Sequence, residues 1–337
     1  MKTIVSNVFA FLVATSCGHN VDNDFKNSMC EETEFPPDPS SQCCGIDTRS
    51  SNSIIDGYEA SVRQYPWVAL LEYEMNGFSS TTLCGGFLIS SYYVMTAAHC
   101  VTGEMFDNRK VRLVNVILGE YDITNHGKDC ARDIDGVNDC TDGAISIPVE
   151  DIQIHPSYSG EISSQGDIAL IRLAKAAPYT DFIRPICLPK ENIYSYAEKD
   201  LVLLTSGWGV SKQSLDMLGW FDMKDKLSPV KLHVEVPYIP LEKCKSQLPV
   251  SNEHICAGDV GKRSCGGDSG GPLMYELNGQ YEAVGVTSYG SDVCAVLPIV
   301  YTNVYSNLPW IEGVIFEEQN SNSFEELNTN SLYNYYN

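Results

Sequence analysis

Three short stretches of the sequence hold the residue types needed for nucleophilic catalysis. Ser269 lies in the glycine-rich stretch 265–272. A serine hydroxyl is a weak nucleophile unless a base takes its proton, and a histidine suits that role near neutral pH. His99 stands among small residues in the stretch 96–100, and Asp167 opens an apolar run. Together they predict hydrolysis by a serine nucleophile, with His99 as the base and Asp167 orienting the imidazole.

The glycines around Ser269 suit a tight turn in which the backbone approaches a substrate closely. The backbone N–H groups of Gly267 and Ser269 would then point at one spot and stabilise an oxyanion. Taken alone, the stretch has a second interpretation, a glycine-rich turn that happens to hold a serine. The two upstream stretches with His99 and Asp167 disfavour that interpretation.

With His99, Asp167 and Ser269 in this order, the sequence resembles the chymotrypsin/trypsin family of serine endopeptidases, roughly over residues 54 to 315. Subtilisins and α/β-hydrolases place the same residue types in other orders. The resemblance implies an all-β fold of two six-stranded antiparallel β-barrels with a C-terminal helix and the triad between the barrels. It also implies hydrolysis of protein substrates through an acyl-enzyme.

Short apolar runs separated by turns agree with such barrels. No internal repeat or coiled-coil heptad interrupts this pattern. The first runs that we predict to be strands are Trp67–Tyr73, Leu83–Ile89, Tyr92–Ala97 and Val111–Leu118.

The composition limits the partners and the compartment. With 22 Lys and Arg against 44 Asp and Glu, the net charge is −22 and the pI is about 4.5. Nucleic acid and anionic membranes would repel such a chain, so we expect neither as a partner. Residues 1–16 are predicted to be a secretory signal peptide, and no later run is long enough for a membrane anchor. Together with thirteen cysteines, this predicts a secreted, extracellular protein.

The protease domain is predicted at 54–316, between a pro-segment at 17–53 and a polar, acidic tail at 317–337 that is expected to be disordered. The pro-segment resembles that of arthropod proteases with an N-terminal clip domain, such as easter-like and prophenoloxidase-activating-like enzymes. A full clip domain has six cysteines in a set pattern, which this segment lacks. Two interpretations stay open, a degenerate clip region and an unstructured tether.

The resemblance implies that the protein is made as a zymogen and activated by cleavage before Ile54. The new α-amino group of Ile54 would insert and pair with Asp268, because a buried carboxylate needs such a cation. Ser53 precedes the cut, where many relatives have Arg or Lys. The activating protease is therefore not identified, and self-activation by a tryptic specificity is not expected. Serpin-type inhibitors are further partners that the family implies.

The disulfide pattern of the family accounts for most of the cysteines. A bond between Cys44 and Cys187 would tie the pro-segment to the protease domain after activation. Cys17, Cys30 and Cys43 remain without an assigned partner. The pairs that the resemblance implies are Cys84–Cys100, Cys130–Cys140, Cys244–Cys256, Cys265–Cys294 and Cys44–Cys187.

An acidic loop begins at Glu120 and contains Cys130 and Cys140. Some relatives bind calcium in this loop through a glutamate at this position, and carboxylates are ligands that calcium prefers. We therefore consider a calcium site at Glu120. The favoured alternative is a solvated loop closed by Cys130–Cys140, with no metal and no other cofactor.

The residues that match the family's primary specificity pocket are unusual. Trypsins have Asp at the base of the pocket, where this chain has Arg263, and Gly on one wall, where it has Ile299. The opposite wall, with Ser288 and Gly290, is ordinary. A substrate Lys or Arg would meet repulsion and crowding. Three alternatives remain, in order of preference: small or apolar substrate residues, acidic substrate residues that pair with Arg263, or a pocket closed by Ile299 with weak activity.

Two functions follow from these observations. The favoured one is an active secreted endopeptidase in an extracellular proteolytic cascade or a venom, because all three triad residues are present. The alternative is a catalytically weak or inactive homologue that acts as a binding or regulatory adaptor, which Ser53, Arg263 and Ile299 would suit. The other histidines are expected to be surface or structural residues: His19, His126, His155, His233 and His254.

Overall fold

The computed structural model describes residues 30–48, 59–75, 78–80, 84–103, 106, 111–125, 127–132, 138–161, 165–197, 200–209, 227–258, 268–290 and 298–317. Residues 1–31 and 32–337 form separate units. In the first unit only residues 30 and 31 are described, and they have no regular secondary structure. The predicted signal peptide and residues 318–337 of the predicted tail lie outside the described residues.

The first barrel is antiparallel, with strand order β1-β3-β4-β9-β8-β5, and the pairing of β5 with β1 closes it. The strand β2 extends the sheet beside β1. Val, Ile and aromatic residues favour strands, and Trp67, Tyr73 and Phe87 are fully buried in the core. The strands are β1 (Val68–Met75), β2 (Phe78–Ser80), β3 (Gly85–Leu88), β4 (Tyr93–Thr96), β5 (Val111–Leu118), β8 (Ile145–Ile154) and β9 (Ala169–Leu173).

The second barrel is closed in the order β10-β11-β12-β15-β14-β13. Its core contains Leu203, Val236, Ile255 and Tyr301. The strands are β10 (Val202–Gly207), β11 (Leu232–Ile239), β12 (His254–Ala257), β13 (Pro272–Leu277), β14 (Gln280–Tyr289) and β15 (Ile299–Asn303).

Among the described residues, two α-helices follow strands of the second barrel. The short helix α1 (Leu241–Lys245) connects β11 to β12, and the helix α2 (304–317) directly follows β15. Ile311 and Ile315 of α2 are spaced one turn apart, so one helix face can be buried. Both belong to the core cluster of the first barrel. Within the described residues, no helix is long and apolar enough to cross a membrane.

The predicted fold of two six-stranded antiparallel barrels with a C-terminal helix is confirmed. Of the four predicted strand runs, Val111–Leu118 is found with the same bounds, and the other three differ by a few residues. The barrels meet where the indole N–H of Trp67 donates to Met274 Sδ at 3.2 Å.

The hairpin of β6 (Cys130–Arg132) and β7 (Asn138–Cys140) lies in the acidic loop, and the Cys130–Cys140 disulfide closes it. Arg63 Nε donates to Asp139 at 2.9 Å. This ion pair ties the hairpin to the chain segment that enters the first barrel.

The described part of the pro-segment in the second unit, residues 32–48, packs along the protease domain. The backbone of Gly45 donates to Pro185 O at 2.8 Å and accepts from the N–H of Tyr281 at 2.7 Å. These contacts favour an ordered region over an unstructured tether. Side chains of the segment form the pairs Glu34–Arg172 (2.7 Å) and Asp38–Lys190 (3.0 Å), the hydrogen bond from Thr48 to Asp181 O (2.6 Å) and the disulfide Cys44–Cys187.

Candidate active site

His99 and Asp167 are brought together by strand pairing in the first barrel. His99 lies in the 3₁₀ helix Ala98–Cys100, which follows β4, and Asp167 lies just before β9. The two strands pair with Thr96 opposite Ala169. The imidazole Nδ1 lies 2.8 Å from Asp167 Oδ2, and the backbone N–H of His99 donates to Oδ1 at 2.9 Å. A carboxylate at Nδ1 keeps the proton on that nitrogen, so Nε2 is left to accept one.

The Asp167 carboxylate is buried and remains charged. Asp167 is 2% exposed, and its Oδ2 also accepts a hydrogen bond from the Ser288 hydroxyl. Burial alone would raise the pKa of Asp167, but the hydrogen bonds and charge of His99, together with Ser288, outweigh it, so the pKa lies below its usual value. The acid can therefore stabilise an imidazolium at neutral pH.

Ser288 reaches Asp167 because of a β-bulge in β14. The register between β14 and β15 shifts between Thr287 and Tyr289, which leaves Ser288 outside the regular pairing. A bulge of this kind re-aims a side chain. Sequence reasoning placed Ser288 in the wall of the specificity pocket, whereas the structure places its hydroxyl on the carboxylate of Asp167. The sequence gives no signal for the bulge.

Thr302 in β15 is a second contact of Asp167 that sequence reasoning missed. Its hydroxyl donates to the backbone carbonyl of Asp167 at 2.8 Å, and the residue is 1% exposed. The contact joins the second barrel to the first. No motif around Thr302 distinguishes it from other strand threonines.

The Ser269 segment is held against the chain that leads to His99. The carbonyl of Ser269 accepts the N–H of Gly85 at 2.8 Å. Gly85 follows Cys84, whose disulfide partner Cys100 is the neighbour of His99. Among the described residues, no hydrogen bond joins the Ser269 hydroxyl to His99. The structure therefore anchors the nucleophile's peptide on β3, in the barrel that carries His99.

The position directly after the nucleophile, Gly270, requires a glycine. Its φ of +78° lies in the left-handed region that L side chains rarely adopt. A Cβ at this position would also overlap Thr96 Oγ1 and the carbonyl of Gly85. The close approach between the Ser269 segment and β4 thus requires a residue without a side chain.

The side chain of Asp268 contacts the turn after β10. Its carboxylate accepts the N–H of Gly209 at 2.8 Å. A Cβ at Gly209 would overlap that carboxylate, so the Asp268 side chain can lie there only because residue 209 is a glycine. Gly267, predicted for the oxyanion hole, and Ile54, predicted to pair with Asp268, lie outside the described residues.

Ile299 and Gly290, both predicted to line the specificity pocket, pack directly against each other. A Cβ at Gly290 would lie 2.7 Å from Ile299 Cδ1, so the isoleucine fills the space beside the glycine. Ile299 is 9% exposed. Arg263, predicted at the base of the pocket, lies outside the described residues.

Four of the expected disulfides join described residues, and the fifth pair, Cys265–Cys294, lies outside them. Among the described residues, Cys84, His99 and Cys100 group their potential metal-ligating atoms within 4.8 Å. Since the two sulfurs are bonded to each other, the group offers no thiolate ligand. The four disulfides are Cys44–Cys187, Cys84–Cys100, Cys130–Cys140 and Cys244–Cys256.

The residues around Glu120 do not fit a calcium site. The Glu120 carboxylate is 2% exposed, accepts a backbone N–H at 2.9 Å and attracts the buried ammonium of Lys231. The carboxylate of Asp129 accepts hydrogen bonds from the backbone of Asp122 and the side chain of Asn125, both at 3.0 Å. The Glu120 carboxylate thus already interacts electrostatically with a lysine, and a divalent ion near that ammonium would be repelled.

The three described histidines other than His99 have structural contacts, as the sequence predicts. His155 packs edge-on against Trp310 with ring centroids 4.9 Å apart, and burial lowers its pKa. His233 Nδ1 lies 3.2 Å from the hydroxyl of Tyr65. The third, His254, accepts the backbone N–H of Ser251 at 3.1 Å. His19 and His126 lie outside the described residues.

Comparison with known proteins agrees with this geometry. The family profile described as Trypsin matches residues 54–311. The chain is 42% identical over 299 residues to the phenoloxidase-activating enzyme of Bombyx mori, covering 85% of this chain and 66% of that protein. It is 36% identical over 335 residues to serine protease ea of Drosophila melanogaster, covering 90% of this chain and 81% of that protein.

A solved structure is similar as well. The crystal structure of the Drosophila Grass clip serine protease of the Toll pathway superposes with a TM-score of 0.65 at 29% identity. The match covers 87% of this chain and 77% of that one. The aligned part of this chain is longer than the two barrels together.

Proposed function

Because the chain belongs to the trypsin family of serine proteases, we propose that it is a secreted endopeptidase, made as a zymogen, that uses Ser269, His99 and Asp167. The observation that carries the proposal is the His99–Asp167 pair, with Nδ1 and Oδ2 2.8 Å apart. The acid is buried and charged, and the base has its second nitrogen left for the nucleophile. The anchoring of the Ser269 peptide on Gly85, at 2.8 Å, supports the same assignment.

In the proposed reaction, Ser269 Oγ attacks the carbonyl carbon of the scissile peptide bond while His99 Nε2 takes the hydroxyl proton. His99 then gives that proton to the leaving amine, and the acyl-enzyme forms. Water attacks the ester by the same route, and Ser269 is regenerated. Asp167 keeps the imidazole in the required tautomer and stabilises its charged form. The N–H groups of Gly267 and Ser269 would bind the oxyanion, and each such donor contributes roughly 3 kcal/mol.

Activation would follow cleavage before Ile54, whose new ammonium group would pair with Asp268. The carboxylate of Asp268 lies beside the glycine turn after β10, which supports a role in ordering the neighbouring oxyanion loop. The disulfide Cys44–Cys187 would keep the pro-segment attached after the cut. An activating protease that tolerates Ser53 before the cut is required.

For the primary specificity, we favour small or apolar substrate residues. Ile299 takes up the space opposite Gly290, so a long cationic side chain would be crowded. A buried isoleucine also offers an apolar wall to a short aliphatic side chain. Arg263 at the base would repel Lys and Arg in addition.

The physiological setting is inferred from relatives. Among them are a phenoloxidase-activating enzyme and a Drosophila spaetzle-processing enzyme, 32% identical to this chain. By analogy, protein substrates in an extracellular cascade, an upstream activating protease and serpin-type inhibitors are the proposed partners. The close contact between Ile299 and Gly290 favours the second candidate function, a weakly active homologue that acts as an adaptor.

The test uses the full chain with a specific protease site placed directly before Ile54, so that the docked pro-segment is retained. The activated protein is incubated with a mixed peptide library, and the cut sites are determined by mass spectrometry. We expect cuts after small or apolar residues. The matched control, Ser269→Ala activated in the same way, should lose about six orders of magnitude in kcat.

Two outcomes contradict parts of this proposal. No cleavage by folded protein with a free Ile54 amino terminus would support the adaptor. Cuts after Lys or Arg would show that Ile299 does not exclude them. If the isoleucine sets the preference, Ile299→Gly should accept larger side chains in the same library.

A further inference from the structure

The Asp167 carbonyl is buried and lies outside the strand ladder. Strand β9 begins at Ala169, and the N–H of Ile168 donates back to Gly166 O at 2.7 Å in a tight turn around Asp167. Among the described residues, the only donor to the Asp167 carbonyl is the Thr302 hydroxyl, at 2.8 Å. Buried carbonyl groups need such a partner, so Thr302 fixes the acid's peptide in a way that β9 does not.

Thr302 is itself rigidly placed. It lies inside β15 of the second barrel, opposite His254 of β12 and Val286 of β14. Its side chain is 1% exposed, and threonine has few rotamers open to it in a strand. The hydroxyl that reaches Asp167 is therefore held by two neighbouring strands.

The second barrel thus holds the acid at two points. Ser288 binds the carboxylate, and Thr302 binds the carbonyl of the same residue. His99, which the carboxylate must face, comes from the first barrel. Since Ser269 lies three residues before the start of β13 at Pro272, the second barrel also carries the nucleophile. The relative placement of acid and nucleophile then depends on the two hydroxyls.

We propose that Thr302 is a positioning residue that holds the Asp167 backbone so that its carboxylate faces His99. The proposal rests on the proposed proteolytic function of the triad. Without the hydroxyl, the turn around Asp167 would relax, and the carboxylate would lose its alignment with Nδ1. Small misplacements of a catalytic group cost up to about 100-fold in rate.

The test compares three variants of the full chain activated before Ile54. Thr302→Val removes the hydroxyl with little change of shape, and Thr302→Ser keeps it. The matched control is Thr205→Val, because Thr205 is also buried in the second barrel but its Oγ1 has no hydrogen-bond partner in the described structure. For each protein, kcat, KM and the pH profile of kcat/KM are measured on the best library peptide.

We expect Thr302→Val to lower kcat about 10- to 100-fold with KM changed less than threefold. The acidic limb of its pH profile of kcat/KM should move to lower pH. A misaligned carboxylate stabilises the imidazolium of His99 less, so the pKa of His99 in the variant is lower than in the wild type. Thr302→Ser should restore kcat to within about threefold, and Thr205→Val should match the wild type. Equal kcat and pH profiles for Thr302→Val and Thr205→Val would overturn the proposal, whatever happens to the melting temperature.

A second readout does not need turnover. The His99 Nδ1–H proton gives a downfield NMR resonance when it is bound to a carboxylate, and it can be observed in a Ser269→Ala background. We expect Thr302→Val to shift this resonance upfield and Thr205→Val to leave it unchanged. If the wild type cleaves nothing, the proteolytic function fails while this comparison still decides the role of Thr302. If Thr302→Val does not fold, Thr302→Ala is compared with Thr302→Ser, and an unmoved resonance in both overturns the proposal.

Discussion

The buried charges of Asp167 and Lys231 lie in different parts of the molecule and meet opposite surroundings. Both residues are nearly inaccessible, with 2% exposure for Asp167 and 4% for Lys231. Hydrogen bonds to the Asp167 carboxylate outweigh its burial and hold its pKa below the usual value. Burial outweighs attraction at Lys231, so its pKa falls from 10.5 to about 7. The acid is stabilised in its charged form, and the lysine is close to losing its charge.

The surroundings of Lys231 explain the difference. Its backbone donates to Tyr121 O and accepts from the N–H of Ala60, both at 2.9 Å, which fixes the residue between two segments. The ammonium is attracted by Asp47 of the pro-segment and by Glu120, but burial has the larger effect. Asp167 instead accepts directed hydrogen bonds on both carboxylate oxygens. The hydrogen bonds and the charge of His99, with Ser288, keep Asp167 ionised, whereas two nearby opposite charges do not offset the burial of Lys231.

The largest effect is expected from neutralising the acid. Asp167→Asn should lower kcat/KM about 10⁴-fold, the size of the loss known for an acid-to-amide change in such a triad, because the imidazole loses its tautomer and its counter-charge. The measurement is hydrolysis of the best library peptide by the activated full chain. Asp151→Asn, a change of an exposed acid on β8, is the control and should be neutral. A loss below tenfold would remove Asp167 from the triad.

A smaller effect, on stability rather than on rate, is expected at the lysine. Lys231→Met should raise the free energy of unfolding at pH 6 by about 1–3 kcal/mol, because burial of the ammonium outweighs its attraction to Asp47 and Glu120, and methionine removes that cost. The rate per folded molecule should stay within twofold, since Lys231 is not part of the triad. Urea unfolding and active-site titration measure the two quantities. A tenfold loss of kcat would contradict this separation of roles.

The smallest effect is a pH dependence that belongs to the lysine. Since its folded pKa is about 7 and its ordinary value is 10.5, the unfolded chain binds more protons between these values. The free energy of unfolding should therefore rise with pH in this window, by up to about 1.4 kcal/mol per pH unit. The cost of burying the ammonium is fully present below pH 7. Lys231→Met should lack this contribution, and parallel curves for the two proteins from pH 7.5 to 9 would disprove it.

The sequence was sufficient for the elements that strand patterns and local motifs determine. The short apolar runs agreed with antiparallel barrels, and the His99, Asp167 and Ser269 stretches located the candidate triad and carried the resemblance that implied two barrels. It was not sufficient for contacts that depend on register. The direction of Ser288 follows from a bulge in β14, and the contact of Thr302 follows from the meeting of two barrels. Neither the direction of Ser288 nor the contact of Thr302 can be predicted from the types of the neighbouring residues.

The acidic loop is a second place where contacts between distant residues could not be predicted from the sequence. Glu120 was considered as a calcium ligand from its place in the family pattern. In the structure, Lys231 is its neighbour, although the two residues are far apart in sequence. A lysine in an apolar strand region looks like an exposed residue when only its neighbours are read. Its burial depends on the pairing that Ala60 and Tyr121 make around it.

The disulfide between Cys44 and Cys187 determines which assays can detect the activating cleavage. It joins cysteines 143 residues apart, so cleavage between Thr48 and Glu59 would turn one polypeptide into two and still leave one particle. Gel filtration and sedimentation would then report the same species before and after the cut. A reducing gel would separate a short band from a long one. Any assay that follows activation by size therefore needs a reductant, and an antibody to either piece would capture both.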